Sequence, residues 1–273
     1  MTSLQNLFRL DGKVAVVTGG AGILGSAFCR ALCDLGAAVA CIDVNKDLIN
    51  NLIKELSNQY DDQKIAGFVC DVSDVKSVNQ TVSEIIKRFS KIDILLNNAA
   101  TKTKNLNNFF TPFLEFSKET WREVMSVNLD GMFLMAQAVG RDMIERRQGT
   151  IVQTASIYSL VAPDHRIYEG SHYLGCEINT PVVYTTSKAG VIGLTKHLAT
   201  LWAEYDIRVN ALCPGGVLSG QNDEFNKKYS ARVPMGRMAN TLDIVGPMLF
   251  LASDASKYMT GQVLYADGGL SVW

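Results

Sequence analysis

Short apolar runs alternate along the chain with longer stretches in which apolar residues recur every three or four positions. The run "KVAVVTG" (13–19) predicts a buried strand, and 23–35 predicts a helix stopped by Gly36. "AAVACID" (37–43), "IAGFVCDV" (65–72), "IDILLNNAA" (92–100), "GTIVQTAS" (149–156), "IRVNALCPG" (207–215) and "GQVLYADGG" (261–269) predict six further strands. Helices are predicted between them at 45–59, 74–89, about 117–146, 184–204 and from near Thr241. Most of these strands are apolar throughout rather than alternating, the pattern of strands covered on both faces. Seven of them separated by helices predict an α/β fold of Rossmann type: a doubly wound, mostly parallel seven-stranded sheet with helices on both faces. Its site belongs beyond the C-terminal ends of the strands. No repeat, low-complexity stretch or linker interrupts the pattern, so residues 1–273 are expected to form one domain.

Composition mainly excludes. With 47% hydrophobic and 19% charged residues the chain is globular, and a net charge of −1 speaks against a nucleic-acid surface. The basic pair Arg146-Arg147 reads as a helix C-terminus, where cations suit the dipole. "MTSLQNLFRLDGK" lacks the apolar core of a secretory signal, and no apolar run reaches the ~18 residues a membrane span needs. A cytoplasmic protein with no membrane partner is therefore expected. The cysteines at 29, 33, 41, 70, 176 and 213 form no C-x-x-C pair and are expected to be reduced thiols, most of them buried, with no metal.

Candidate chemistry begins in the first strand-to-helix turn. Gly19, Gly20, Gly22 and Gly25 allow a tight turn and close approach of the backbone to a pyrophosphate at a helix N-terminus. Their spacing satisfies both G-x-G-x-x-G and T-G-x-x-G-x-x-G. Asp43, 18 residues beyond Gly25, ends the second strand, where a carboxylate can accept hydrogen bonds from both ribose hydroxyls. The competing reading makes it a loop acid or the N-cap of the helix at 45–59. A carboxylate there repels a 2′-phosphate, so NAD is expected in preference to NADP. Asp71 can bond an adenine amine and Asn97 can border the ribose; a strand-end cap is the alternative for each.

"YTTSK" places Tyr184 and Lys188 four residues apart, on one helix face. A phenol, with a pKa of about 10, needs a neighbouring ammonium to serve as a base near neutrality. Ser156 ends the fifth strand, where its hydroxyl can bond a substrate oxygen or merely cap a turn. Asn128, in "VMSVNLDG", falls mid-helix, where asparagine is a poor helix former, so a specific role or a kinked helix is expected.

Together, "TGGAGILG", "NNAA" (97–100), "VNLDG" (127–131), "TAS" (154–156), "YTTSK", "NALCPGG" (210–216) and "ADGG" (266–269) resemble the short-chain dehydrogenase/reductase family along nearly the whole chain. The resemblance implies an NAD(P)-dependent oxidoreductase that interconverts a secondary alcohol and a ketone, with a tetrad of Asn128, Ser156, Tyr184 and Lys188. Tyr184 would pass the hydroxyl proton and Ser156 would fix the carbonyl oxygen. Lys188 would bind the nicotinamide ribose and tune Tyr184, and Asn128 would anchor a water in the relay. It further implies cofactor contacts from Gly19, Gly22, Ile23, Leu24 and Gly25, from Asp43, Asp71 and Val72, and from Asn98, Ala99 and Ala100. Tyr184, Lys188, Pro214, Gly215, Val217 and Ser219 complete that set. A homo-oligomer, dimer or tetramer, is implied as well, with the tail "VLYADGGLSVW" compatible with burial at an interface. Three departures stand out: Ile23 replaces an expected glycine, Ala100 replaces another, and Ser219 replaces a frequent threonine.

Ser156 and Tyr184 are 28 residues apart, further than in the family's compact members. The loop 157–183, fixed at both ends by candidate catalytic residues, must lie over or beside the substrate pocket, or else pack on another subunit. Its polar and aromatic side chains suit a hydroxylated substrate, and Arg166 can meet a phosphate or carboxylate. His165, His172, Cys176 and Glu177 match no standard zinc spacing. "PDHRIYEG" and "RVPMGRMAN" (232–240) are loosely similar to a bacterial subgroup associated with flagellin and surface-glycan sugar modification, which implies a sugar-like small-molecule substrate. Segment 217–240 is expected to be a lid. The alternatives are a sugar-nucleotide epimerase or dehydratase using NAD transiently, a 3-oxoacyl thioester reductase, and a non-catalytic nucleotide sensor. The 85 residues after Lys188 leave little room for an epimerase's substrate domain.

Overall fold

The computed structural model describes residues 4–272. Seven parallel strands form the central sheet: β1 (Val14–Thr18), β2 (Ala38–Asp43), β3 (Ile65–Val69), β4 (Ile94–Asn97), β5 (Gly149–Thr154), β8 (Ile207–Pro214) and β9 (Val263–Ala266). A separate antiparallel pair, β6 (His172–Tyr173) and β7 (Cys176–Glu177), lies inside the loop after β5. The helices are α1 (Ile23–Asp34), α2 (Lys46–Ser57), α3 (Val75–Phe89), α4 (Leu106–Phe109), α5 (Lys118–Met125), α6 (Gly131–Arg146), α7 (Val182–Trp202), α8 (Asp223–Ser230) and α9 (Thr241–Ala252).

The strand order β3-β2-β1-β4-β5-β8-β9 is that of a doubly wound sheet, and its direction of winding reverses between β1 and β4. Such a reversal opens a crevice at the C-terminal strand ends. Register sets what meets there. Thr18 pairs with Ile42 and Val17 with Leu96, so the glycine turn, Asp43 and Asn97 emerge side by side. Thr154 pairs with Leu212 and Pro214 with Ala266, which brings Ser156, Gly215 and the "ADGG" turn to the same rim.

Every residue of β1, β4 and β5 is buried, as the unbroken apolar runs require. On one face Phe28, Leu32, Ile49 and Leu56 pack with Ile244 and Leu251 over Ala15, Val17 and Val39. On the other, Val82, Ile85, Met135, Val139, Leu198 and Trp202 cover Val16, Leu95, Ile151 and Val209. Each fully buried side chain of this size contributes roughly 1.5–3 kcal/mol, which makes these two layers the rigid mount for the rim. Arg146 closes α6, bonded to Asp142 at 2.8 Å and to Asp93 at 3.1 Å. All six cysteines are free, and five are buried. No helix of the described residues is long and apolar enough to cross a membrane. Trp273, the last residue of the tail compatible with burial at an interface, lies outside the described residues.

Candidate active site

The turn after β1 is shaped by backbone. Gly19 adopts φ +61°, a left-handed conformation that favours glycine. A Cβ on Gly25 would stand 2.0 Å from the Gly19 carbonyl oxygen, so only glycine lets α1 start so close beneath the turn. Gly22 is the N-cap of α1 and supplies no side-chain cap, which leaves the first-turn amides to another acceptor. Ile23, where a glycine was expected, is the first residue of α1, and with Leu24 it lines a cavity. Asp43 accepts from the Ala21 amide at 3.2 Å and the Asn45 amide at 3.0 Å, bracing the turn from the end of β2. The N-cap of α2 is Asn45, not Asp43. Thr18 joins the two sides of the crevice: its Oγ1 accepts from the amides of Asn98 at 2.9 Å and Ala99 at 3.0 Å.

On the opposite wall α7 presents Tyr184 and Lys188 beside Ser156. The Lys188 side chain is 2% exposed and donates from Nζ to the Thr154 carbonyl at 2.9 Å. Its ammonium lies 5.9 Å from the centre of the Tyr184 ring. Burial pushes the Lys188 ammonium down to about 8. Burial also raises the Tyr184 phenol, and the hydrogen bond from Ser156 opposes that rise. Ser156 Oγ accepts from the Tyr158 amide at 3.2 Å, so its capping and site-facing roles coexist.

Asn128 sits in a π turn, Ser126–Asp130, between α5 and α6. The helix expected over 117–146 is thus one continuous run with a wide turn at its poorest helix former. Wide turns of this kind concentrate at functional sites. Asn128 is fully buried; its Oδ1 accepts from the Thr101 amide at 2.8 Å, and its Nδ2 has no partner among the described residues. Leu129 of the same turn lies over Gly190 of α7.

A cavity of about 330 Å³ connects the two walls. Ile23, Leu24, Asn98 and Ala100 line one end, Thr154, Ser156, Tyr184 and Lys188 the middle, and Pro214, Gly215, Val217 and Ser219 the far side. The loop 157–183 closes it with Tyr158 and Tyr168, and the segment 217–240 does so with Gln221, Phe225, Tyr229 and Met238. These two segments are joined to each other. The Tyr158 and Tyr168 hydroxyls bond at 2.9 Å, and Thr180 donates to Tyr168. Tyr168 stacks on Phe225 at 5.5 Å, which stacks on Tyr229 at 5.6 Å, and the Tyr229 hydroxyl accepts from the Gly216 amide at 2.6 Å. Arg232 reaches Asp164 at 3.0 Å, and the Arg166 and Arg232 guanidiniums hold that carboxyl well below the usual range. The ends of 217–240 are pinned by a backbone bridge between Val217 and Ala239. A larger cavity, about 490 Å³ between Gly268-Gly269 and Arg237, shares Gly215, Gly216 and Tyr229 with it but none of Ser156, Tyr184 and Lys188.

Comparison with known proteins decides the family. The model described as enoyl-(acyl carrier protein) reductase matches residues 19–271. The chain belongs to the short-chain dehydrogenase/reductase family. It is 35% identical to a D-threitol dehydrogenase of Mycolicibacterium smegmatis, with 100% of each chain covered. A gluconate 5-dehydrogenase from Burkholderia cenocepacia, solved with NADP and tartrate, superposes with a TM-score of 0.86 at 31% identity, covering 99% of this chain and 100% of that one. A short-chain dehydrogenase from Leptospira borgpetersenii with bound NAD+ gives 0.84 at 33% identity, covering 100% of this chain and 97% of the other. The chain is accordingly an NAD(P)-dependent oxidoreductase that interconverts a secondary alcohol and a ketone.

Within this dehydrogenase fold some expected residues stand elsewhere. Asn97, expected beside the ribose, is buried with its amide donating to the Met132 carbonyl at 2.7 Å; Asn98 faces the cavity instead. Arg166, expected to meet an anion, is bonded through two nitrogens to Asp164, with its side chain 86% exposed and outside the cavity lining. Asp71 accepts from the Ser73 amide and hydroxyl on an exposed turn, while Val72 packs beneath Gly131. Among the described residues no three His, Cys, Asp or Glu side chains converge as metal ligands. Thr101, Tyr158 and Gln221 were not singled out from the sequence, whereas Tyr168 and Tyr229 belong to the loop and the lid expected over the pocket, and both line it. Thr18 carried a signal as the Thr of "TGGAGILG", though its bonds to the amides of Asn98 and Ala99 were not anticipated.

Proposed function

We propose that the enzyme oxidises, reversibly, one secondary hydroxyl of a polyol or sugar-derived chain, with NAD in preference to NADP. The observation that carries this reading is the cavity that joins Ile23 and Leu24, at the start of α1, to Ser156, Tyr184 and Lys188 under a hydroxyl-rich cap. The residues fit a dinucleotide: the uncapped start of α1 offers amides to a pyrophosphate, and Gly19 and Gly25 leave it room. Asp43 would accept from the ribose hydroxyls and repel a 2′-phosphate. Asp71 would reach the adenine, with Val72, Asn98, Ala99 and Ala100 along the crevice. Lys188 would hold the second ribose, and Gly215, Val217 and Ser219 would meet the nicotinamide amide. The bound cofactor supplies the two-electron acceptor or donor.

The side chains handle the proton. In oxidation, Tyr184 Oη takes the hydroxyl proton while Ser156 Oγ donates to the substrate oxygen and holds it as the carbonyl forms. The Lys188 ammonium, within 6 Å of the ring, favours the phenolate against the effect of burial. Asn128 Nδ2 is a donor left to hold a water between Lys188 and solvent. Reduction runs these steps backwards.

The relatives named for threitol and gluconate act on chains of hydroxylated carbons. Tyr158, Tyr168, Ser219 and Gln221 offer the hydroxyl and amide partners such a chain needs. A homo-oligomer, dimer or tetramer, in the cytoplasm completes the reading, with the half-buried edge strand β9 as its contact. A panel of polyols and sugars with NAD or NADP, followed by absorbance of the reduced cofactor, tests all of this. Stoichiometric NADH from a polyol, faster than NADPH, supports the proposal. Activity confined to acetoacetyl-coenzyme A selects the thioester reductase, and product without net NADH selects the epimerase.

A further inference from the structure

The cavity carries a charge pattern that proton transfer does not use. No aspartate or glutamate is among its lining residues; its charged groups are Lys188 and Lys102. Lys188 is committed to Thr154 and the Tyr184 ring. Lys102, exposed on the loop after β4, holds its Nζ 3.8 Å from the centre of the Tyr173 ring. It makes no ion pair among the described residues. Tyr173 belongs to the β6–β7 hairpin, and its backbone bridges to Gln221, which itself lines the cavity. Lys102 therefore spans the mouth, from the crevice side to the cap. An ammonium resting on an aromatic face is partly desolvated yet keeps N–H donors directed away from the ring. An incoming anion gains a charge-assisted hydrogen bond there without displacing a carboxylate.

We propose that Lys102 is a specificity-determining residue that receives the anionic end, carboxylate or phosphate, of a hydroxylated substrate whose reacting carbon lies at Ser156 and Tyr184. This inference rests on the assignment of those two residues as the site of alcohol oxidation. A neutral polyol leaves Lys102 without a counter-charge, whereas a sugar acid or sugar phosphate supplies one and is selected by it.

Three ligands with the same six-carbon hydroxylated chain separate the possibilities: D-glucitol, D-gluconate and D-glucitol 6-phosphate. Each is titrated calorimetrically onto the NADH-loaded protein, so the result does not depend on turnover. At least one anion is expected to bind roughly tenfold or more tightly than D-glucitol, and which one identifies a carboxylate or a phosphate end. Lys102→Gln should remove that preference and leave D-glucitol binding unchanged, while Lys102→Arg should retain it. Tyr173→Leu controls for the hairpin: with Lys102 in place, the preference should persist. Equal binding of all three ligands to the native protein, or a preference that survives in Lys102→Gln, overturns the proposal. A preference lost equally in Tyr173→Leu also overturns it, because the pair is then a structural clamp. Failure of the oxidation reading shows separately, as the absence of reduced cofactor with every alcohol.

Discussion

Between Thr18 and Gly25 the chain reaches its geometry through main-chain atoms and missing side chains. The cap of residues 157–183 and 217–240 reaches its geometry through interlocking side chains. At the first end the fixed elements are the Gly19 carbonyl, the bare position at Gly25 and the uncapped start of α1, with Asp43 and Thr18 as braces. At the second they are a Tyr158–Tyr168–Thr180 chain, an aromatic stack through Phe225 to Tyr229, and the Asp164–Arg232 ion pair. A ligand common to many enzymes can be held by backbone, which every sequence possesses. A particular substrate needs side chains, and these can be replaced without disturbing the sheet.

The comparison breaks most sharply at Gly25. Gly25→Ala drives a Cβ into the Gly19 carbonyl oxygen. It should weaken NAD binding by about two orders of magnitude and cost on the order of 1–3 kcal/mol of stability. Fluorescence titration of NADH and urea unfolding check both, and unchanged cofactor affinity contradicts the backbone account.

Tyr168→Leu strikes the other end. It removes the hydroxyl shared with Tyr158 and Thr180 but no cofactor-side contact. KM for the alcohol should rise roughly tenfold with NAD affinity held. A loss of NAD affinity instead would mean the two ends are not separable.

An effect on stability alone concerns Lys188, whose buried ammonium lies between them. Its pKa, lowered to about 8 by burial, means the folded protein bears the cost of a buried charge at pH 7. That cost, on the order of 3 kcal/mol, is relieved as pH rises from 8 towards the unfolded lysine value. Lys188→Met removes it but leaves the Thr154 carbonyl unpaired, an opposing loss of about 1 kcal/mol. The variant should be the more stable at pH 7, and its advantage should shrink by pH 10, as read from urea midpoints. A constant difference across that range refutes the buried-charge account.

The same contrast explains what the sequence disclosed. The sheet was legible because strands buried on both faces must be apolar throughout, and the turn because glycines have no substitute there. Asn128 was legible as a misfit, and its π turn accounts for the misfit. The β6–β7 hairpin and α8 were not legible, because they lean on each other across about 50 residues, as where the Asn222 side chain accepts from the His172 amide. The tyrosine chain was not, because its hydroxyls meet only through the irregular path of the loop that carries them. Arg166 misled because composition shows a free guanidinium, whereas Asp164, two residues away, had already claimed it. Asn97 and Asn98 differ only in which side of a buried strand end they face, and one residue of register decides that.

The central claim is that Tyr184 moves the proton while the glycine turn holds the cofactor. It is tested most directly by comparing native protein with Tyr184→Phe, using NAD and the best polyol or sugar acid of the panel. The account predicts that NADH formation falls by about a thousandfold while NADH binding stays unchanged. A Tyr184→Phe enzyme that retains most of its turnover would contradict it.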